Sequence, residues 1–303
     1  LVVELRGFDA DDEDGKGNIS LWQNVRSFLD AEYPEAVLVS EWGEPDKSLL
    51  GGFHMDFLLH FGPSHYPELF RTDKPYFSAK AVGDISEFVN KYKKSYAKTD
   101  GKGLICIPSG NHDMDRLARA LDVDELRVAF AFLLSMPGAP FIYYGDEIGM
   151  RYVENLTSVE GGYGRTGSRS PMQWNKGLNA GFSTAPAEML YIPQDPAADR
   201  PDAETQSSDP ASLRSEVKKL IEFRQANPAL QSRGSIEFIS DGYPMVYKRS
   251  DGSQTIAVII NPSAEKAEVG GLPGKLVYTV GGKAEVAGGT VKVDGCTAAF
   301  VEI

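Results

Sequence analysis

Three short clusters carry the residue types that acid–base chemistry needs. Glu41 closes the run Val37-Leu-Val-Ser-Glu41 and is followed by Trp42. Asn111-His112-Asp113 follows Leu104-Ile-Cys-Ile-Pro108, and Gly145-Asp146-Glu147 follows Pro140-Phe-Ile-Tyr-Tyr144. Taken singly, each has a plain structural role: a glutamate after a strand is more often a cap or a surface ion pair, and a lone histidine is more often hydrogen-bonded scaffold. Taken together, two carboxylates and a histidine at strand ends suit proton transfer on a polar, uncharged substrate. Glycoside hydrolysis is the simplest such reaction.

The elements that must position these groups alternate. Short continuous apolar runs at 36–40, 104–108 and 140–144 suit parallel strands buried on both faces, and 52–58 is a weaker strand. Between them lie amphipathic helices. One is opened by a Ser20-x-x-Gln23 capping box, with Trp22, Val25 and Leu29 on one face. A second covers 84–92, with Ile85, Phe88, Val89 and Tyr92 apolar. A third is capped by Asp122-x-x-Glu125 and stopped at Met136-Pro-Gly138. Strand–helix alternation predicts a parallel sheet with right-handed crossovers, and an open sheet and a closed barrel both fit it. In either, functional groups sit at the C-terminal strand ends. Residues 145–211 are loop-rich, and a long loop in a compact domain is usually functional. Asp209-Pro210 is expected to open the next helix, with its apolar stripe at Leu213, Val217, Leu220 and Ile221. From 234 onward, β-branched runs separated by Asp-Gly and Gly-Gly turns predict a small antiparallel β domain.

Composition narrows the partners. A formal charge of -12 over 303 residues argues against nucleic acid or an anionic membrane. No apolar stretch has the length of a membrane span. No signal-peptide pattern follows Leu1, so a cytoplasmic location is expected. Cys106 and Cys296 fall in different expected domains and read as small buried hydrophobes rather than a disulfide or a metal pair. The acidic stretch 9–18 reads as a solvated loop, because its spacing does not fit a calcium loop of the EF-hand type.

At this point the motifs reach a family. Ser109-Gly-Asn-His-Asp-Met-Asp-Arg116, the string MPGAPFIYYGDEIGM over 136–150, SRSPMQW over 168–174 followed by NAGFS over 179–183, and VLVSEW resemble, in this arrangement, the α-amylase superfamily, glycoside hydrolase family 13. They are most similar to its α-glucosidase, oligo-1,6-glucosidase and trehalose-synthase branch. The resemblance implies an α/β fold: the C-terminal half of a (β/α)8 TIM barrel over 1–233, strands five to eight, followed by a small antiparallel β-sandwich over 234–303. It implies Glu41 as the general acid/base, with a pKa raised by burial beside Trp42, and Asp113 as the carboxylate that binds sugar hydroxyls and stabilises the transition state. His112 is implied as a sugar ligand, Trp42 as part of the same pocket, and Arg116 as a contact to the sugar or to a neighbouring carboxylate. Trp174, Phe182 and Tyr144 are candidates to stack on sugar rings.

The retaining mechanism also needs a nucleophilic aspartate in an Arg-x-Asp setting. The Leu5-Arg-Gly-Phe-Asp9 segment has the wrong spacing, and Leu1-Val2 resembles the residues just after the nucleophile. The chain is therefore expected to be the C-terminal part of a longer enzyme and inactive alone. The substrate implied is a small α-glucan or oligosaccharide, with no metal among the site residues and no cofactor, calcium in the full-length protein remaining open. Two other readings stand beside the retaining α-glucosidase: a transglycosylase or trehalose-synthase-like isomerase on the same pocket, and a non-catalytic binder of carbohydrate or a partner.

Overall fold

The computed structural model describes residues 16–99, 101–159 and 161–303. Most of the acidic stretch 9–18 lies outside these residues, as do Leu1-Val2 and the Leu5–Asp9 segment. Lys16, Gly17 and Asn18 are helical rather than loop. Helix α1 (Lys16–Glu32) thus already runs at Lys16, and Ser20 sits inside it rather than at its cap. Gln23 uses its amide to reach Leu50 O at 2.9 Å instead of closing a capping box.

The first half follows the expected alternation with shorter strands. Strands β1 (Val39–Ser40), β2 (Met55–Phe57) and β3 (Leu104–Cys106) form one parallel sheet in that order. Two single-turn helices, α2 (Pro45–Ser48) and α3 (Pro67–Phe70), follow β1 and β2, and α4 (Ser86–Thr99) leads into β3. The apolar run at 140–144 adds one parallel bridge, Phe141 to Pro108, rather than a full strand. Pro140 has no N–H to offer a ladder, and the Tyr143 N–H donates to the Ser109 hydroxyl at 2.9 Å instead of to a strand neighbour.

Helix α5 (Val123–Ser135) is capped as the sequence predicts. Asp122 accepts from the Asp124 and Glu125 amides, and Glu125 accepts from the Asp122 amide at 2.8 Å. Ten of its residues are buried, so α5 is central rather than peripheral. Its C-terminal carbonyls are gathered by the buried Arg224, whose guanidinium donates to Leu134 O, Met136 O and Gly138 O. Burial pushes the Arg224 guanidinium down to about 10. Gly138 follows at φ +94°, with its missing Cβ position 1.8 Å from Ile105 O, so no side chain fits there. Beyond the loop region and α6 (Ala203–Ser208), α7 (Leu213–Ala226) supplies Arg224. It opens at Leu213 with Ser212 as its cap, not at Asp209-Pro210, which form the turn before it.

The remainder is antiparallel. Strands β4 (Ser235–Asp241), β5 (Met245–Ser250), β6 (Thr255–Asn261), β11 (Thr297–Glu302) and β8 (Lys275–Gly281) form one sheet in that spatial order. Strands β7 (Ala267–Val269), β10 (Thr290–Val293) and β9 (Ala284–Ala287) form a second. The period of two sorts β6 between two cores. Ile256, Val258 and Ile260 join the main core with α5 and the parallel region, while Ala257 and Ile259 join a second core with Val291 and Val293. Among the described residues no helix is long and apolar enough to cross a membrane. Both cysteines are free; Cys106 is buried as expected and Cys296 only partly so.

Candidate active site

A cavity of about 400 Å³ lies at the C-terminal ends of the parallel strands. Val37, Val39, Phe57, Leu59, Phe141 and Ile142 give it apolar walls, and Glu41, Asn111 and His112 supply polar groups. The run 37–40 is therefore not buried on both faces as its composition predicts. Val37, two residues before β1, is 53% exposed and lines the cavity. Glu41, one residue past β1, is exposed as well.

Asn111 links the Glu41 carboxylate to the backbone of Asp113. Its side-chain amide donates to Glu41 Oε1 at 3.3 Å, and its Oδ1 accepts from the Asp113 amide at 2.8 Å. Asp113 Oδ1 is gripped by Arg165 and Arg169, each at 2.8 Å. Its other oxygen, Oδ2, faces His112 Nε2 at 3.6 Å. Arg169 also donates through Nε to His112 O at 2.8 Å, which pins the loop carrying both residues. The arrangement leaves one Asp113 oxygen and the imidazole on the side away from the arginines.

Trp42 and Arg116 do not join this group. Trp42 packs against the main core and is not among the residues that line the cavity. Arg116 is fully buried, with its guanidinium 4.8 Å from the rings of both Tyr143 and Tyr144 and 3.1 Å from Asp146. Of its two expected uses, holding a neighbouring carboxylate is the one the geometry provides. Asp146 in turn accepts from the Ser109 hydroxyl at 2.7 Å, and burial pushes its carboxyl up from the ordinary range against the pull of Arg116. Within the third acidic cluster, Asp146 therefore builds the scaffold under the site.

A second cavity of about 460 Å³ lies across the same loop. Trp174, Phe182, Tyr191 and Tyr144 line it, with Glu147 and Arg169 as its charged groups. The three stacking candidates thus meet here, not at Glu41. Trp174 and Phe182 stand about half exposed.

Several residues were not singled out from sequence. Asn111 stands inside the motif that flagged its neighbours. Arg165 and Arg169 are paired at a four-residue spacing just before SPMQW, which is a visible signal. His60, at the end of the β2 segment, feels Asp113 electrostatically, yet burial depresses its pKa. Asp56 is a carboxylate in the middle of an apolar run, a pattern that itself marks a special position. Among the described residues no group of three or more His, Cys, Asp or Glu is placed to hold a metal ion.

Comparison with known proteins agrees with this layout. Residues 8–233 match the family model described as "Alpha amylase, catalytic domain". An oligo-1,6-glucosidase of Parageobacillus thermoglucosidasius is 30% identical over 234 residues, covering 65% of this chain and 40% of that protein. A trehalose synthase/amylase TreS of Mycobacterium tuberculosis is 37% identical over 159 residues, covering 49% of this chain and 25% of that protein. The crystal structure of an α-amylase from H. orenii superposes with a TM-score of 0.75 at 23% identity, over 100% of this chain and 60% of that one. The chain thus spans between a quarter and two fifths of the length of these two curated relatives. The structural likeness shows the fold, a TIM barrel followed by a β domain.

Proposed function

The chain belongs to the α-amylase family, and on that premise we propose that it carries the acid/base side of a retaining glycosidase site acting on α-glucosidic bonds of short oligosaccharides. In this reading β1, β2 and β3 are the fifth to seventh strands of the barrel and the run at 140–144 is the eighth, and 1–233 and 234–303 are the two domains. The observation that supports it is the Asn111 bridge, which ties the Glu41 carboxylate after β1 to the backbone of Asp113 beyond β3, across the end of β2, beside a sugar-sized cavity that Glu41, Asn111 and His112 line.

Glu41 gives its proton to the glycosidic oxygen as the bond from the anomeric carbon breaks and its electron pair goes to that oxygen. Positive charge then grows on the sugar, and the Asp113 carboxylate stabilises it. The oxygen of Asp113 not engaged by arginine, together with His112, accepts and donates to sugar hydroxyls. Substrate in the cavity displaces water from the exposed Glu41 and so favours its protonated form. The reaction calls for no cofactor. The 303-residue chain alone is proposed not to turn over, because none of the residues matched to the family motifs takes the nucleophile's role. Trp174, Phe182 and Tyr144 stack on further sugar units in the second cavity.

The test uses aryl α-glucosides, maltose and isomaltose with the full-length protein. Glu41→Gln should lower kcat/KM by about 10²–10⁴-fold on substrates with poor leaving groups, the usual range for a general acid. An unchanged rate would remove Glu41 from the mechanism. Steady turnover by the 303-residue chain, abolished by Glu41→Gln, would overturn the expectation that it is inactive alone. The trehalose-synthase match supports a second reading, transfer to sugar rather than water. Trehalose or longer products from maltose favour it, and glucose alone favours hydrolysis.

A further inference from the structure

Glu41 stands on a turn that has no regular structure of its own, and the structure shows what holds that turn. Before it, Ser40 is the last ladder residue of β1, paired with Asp56 of β2. After it, the Trp42 and Gly43 amides both donate to Asp56 Oδ1, at 3.0 and 3.3 Å. The same oxygen takes the Phe57 amide at 3.0 Å, and Oδ2 takes the Ser48 hydroxyl at 2.8 Å. Asp56 is fully buried, and the Ser40 hydroxyl adds to the donors around its carboxylate. A buried carboxylate is costly unless it is hydrogen-bonded in this way. Gly43 adds a backbone constraint: it lies at φ +77°, with the ring of Phe61 3.2 Å from where a Cβ would stand.

We propose that Asp56 is a positioning residue for Glu41, its carboxylate seating the two amides that follow the proton donor and so aiming the Glu41 side chain at the cavity. The inference rests on the reading of Glu41 as proton donor. Its chemistry is directional. The Asp56 side chain never meets substrate; it fixes the turn from beneath, and a donor misplaced by about 1 Å is enough to cost on the order of 10²-fold. What the seat requires is an acceptor oxygen at Oδ1, not a negative charge. Asparagine supplies that acceptor, and its NH₂ can donate to Ser48 in place of the hydroxyl's own donation. Alanine supplies neither.

The experiment compares Asp56→Asn and Asp56→Ala in two measurements. The first is amide hydrogen exchange at Trp42 and Gly43, read in the chain itself. The second is kcat/KM of the full-length protein on a series of aryl α-glucosides of graded leaving-group acidity. The expected result is slow exchange in wild type and Asp56→Asn, and exchange at least tenfold faster in Asp56→Ala. With it should come a loss of about 10²-fold for poor leaving groups and less than about threefold for good ones, which need no proton. Asp56→Asn should restore most of that loss. Equal losses across the leaving-group series, or no recovery with asparagine, would overturn the proposal, as would wild-type amides exchanging as fast as those of Asp56→Ala. Wild-type protein that cleaves no α-glucoside would defeat the functional reading instead, and the exchange measurement would still decide whether Asp56 seats the turn. Should Asp56→Ala fail to fold, Asp56→Asn remains decisive: loss of protection or leaving-group-dependent loss there sinks the idea.

Discussion

Two apolar β-branched runs of this chain meet opposite fates. Thr255-Ile-Ala-Val-Ile-Ile260 lies in β6, its residues from Ile256 on fully buried between two cores. Val37-Leu-Val39 ends beside a cavity, with Val37 more than half exposed. The polar residues are distributed in the opposite sense. Asp56, Asp146, Asp195, Asp202 and Glu125 are buried in the first part of the molecule, whereas from 235 onward the buried polar residues are Arg249, Asn261, Ser263 and Thr297, with no carboxylate among them. The β region gains stability from packed apolar surface. The strand-end region spends part of that stability on placing charge.

The contrast can be broken or sharpened by experiment. The largest expected effect is in the β region. Phe300 is fully buried, with ring contacts to Phe223 at 5.1 Å and Tyr278 at 6.0 Å. Phe300→Ala should cost about 3–5 kcal/mol in urea unfolding; a loss below 1 kcal/mol would deny that this core dominates stability. At the cavity the balance should reverse. The double change Arg165→Ala with Arg169→Ala frees Asp113, and kcat/KM of the full-length protein should fall about 10–100-fold, ~1.4–2.8 kcal/mol of transition-state stabilisation. These arginines are partly exposed, so the urea midpoint should hardly move. A large stability loss without an activity loss would make them scaffold.

At the seam between the regions, Asp122→Ala removes the cap of α5 and should cost about 1 kcal/mol. Stability against pH gives a smaller and signed test. Burial raises the Asp56 carboxyl above its ordinary value of 3.8. The folded state therefore holds this proton more tightly than the unfolded one, so the contribution is complete below 3.8 and is lost as pH rises through the folded value. Relative to Asp56→Asn, wild type should lose stability over that rise, as measured by paired urea titrations; a gain would reverse the assignment. The smallest effect belongs to Val37→Thr, which should stay within about 0.5 kcal/mol because the site faces open cavity.

The sequence was legible in some places and misleading in others, for physical reasons. Asp122-x-x-Glu125 and Ser20-x-x-Gln23 carry the same local pattern, yet only the first is a cap. Glu125 also accepts from the Ala79 amide at 2.7 Å, so tertiary contact reinforces the local geometry there. Ser20 lies within a helix already running, where a hydroxyl has no free amide to accept from. Likewise the β6 period follows from local rules, whereas the helix start expected at Asp209-Pro210 was overruled by Ser212, whose hydroxyl accepts from the Ser215 amide at 3.1 Å.

By itself the sequence determined the family, the order of the elements and the residues proposed to carry the chemistry, because motif strings and hydrophobic periods are local and survive without coordinates. It could not determine which of those residues meet. Glu41 and Asn111 are 70 positions apart, Asp113 and Arg165 52, Trp42 and Asp56 14. Hydrogen bonds act over about 3 Å, and only the folding of the strands side by side brings such distant groups within reach. The same folding placed Trp42 against the core, Arg116 beneath the site and Val37 at an open wall, since burial belongs to what packs against a residue and not to its type.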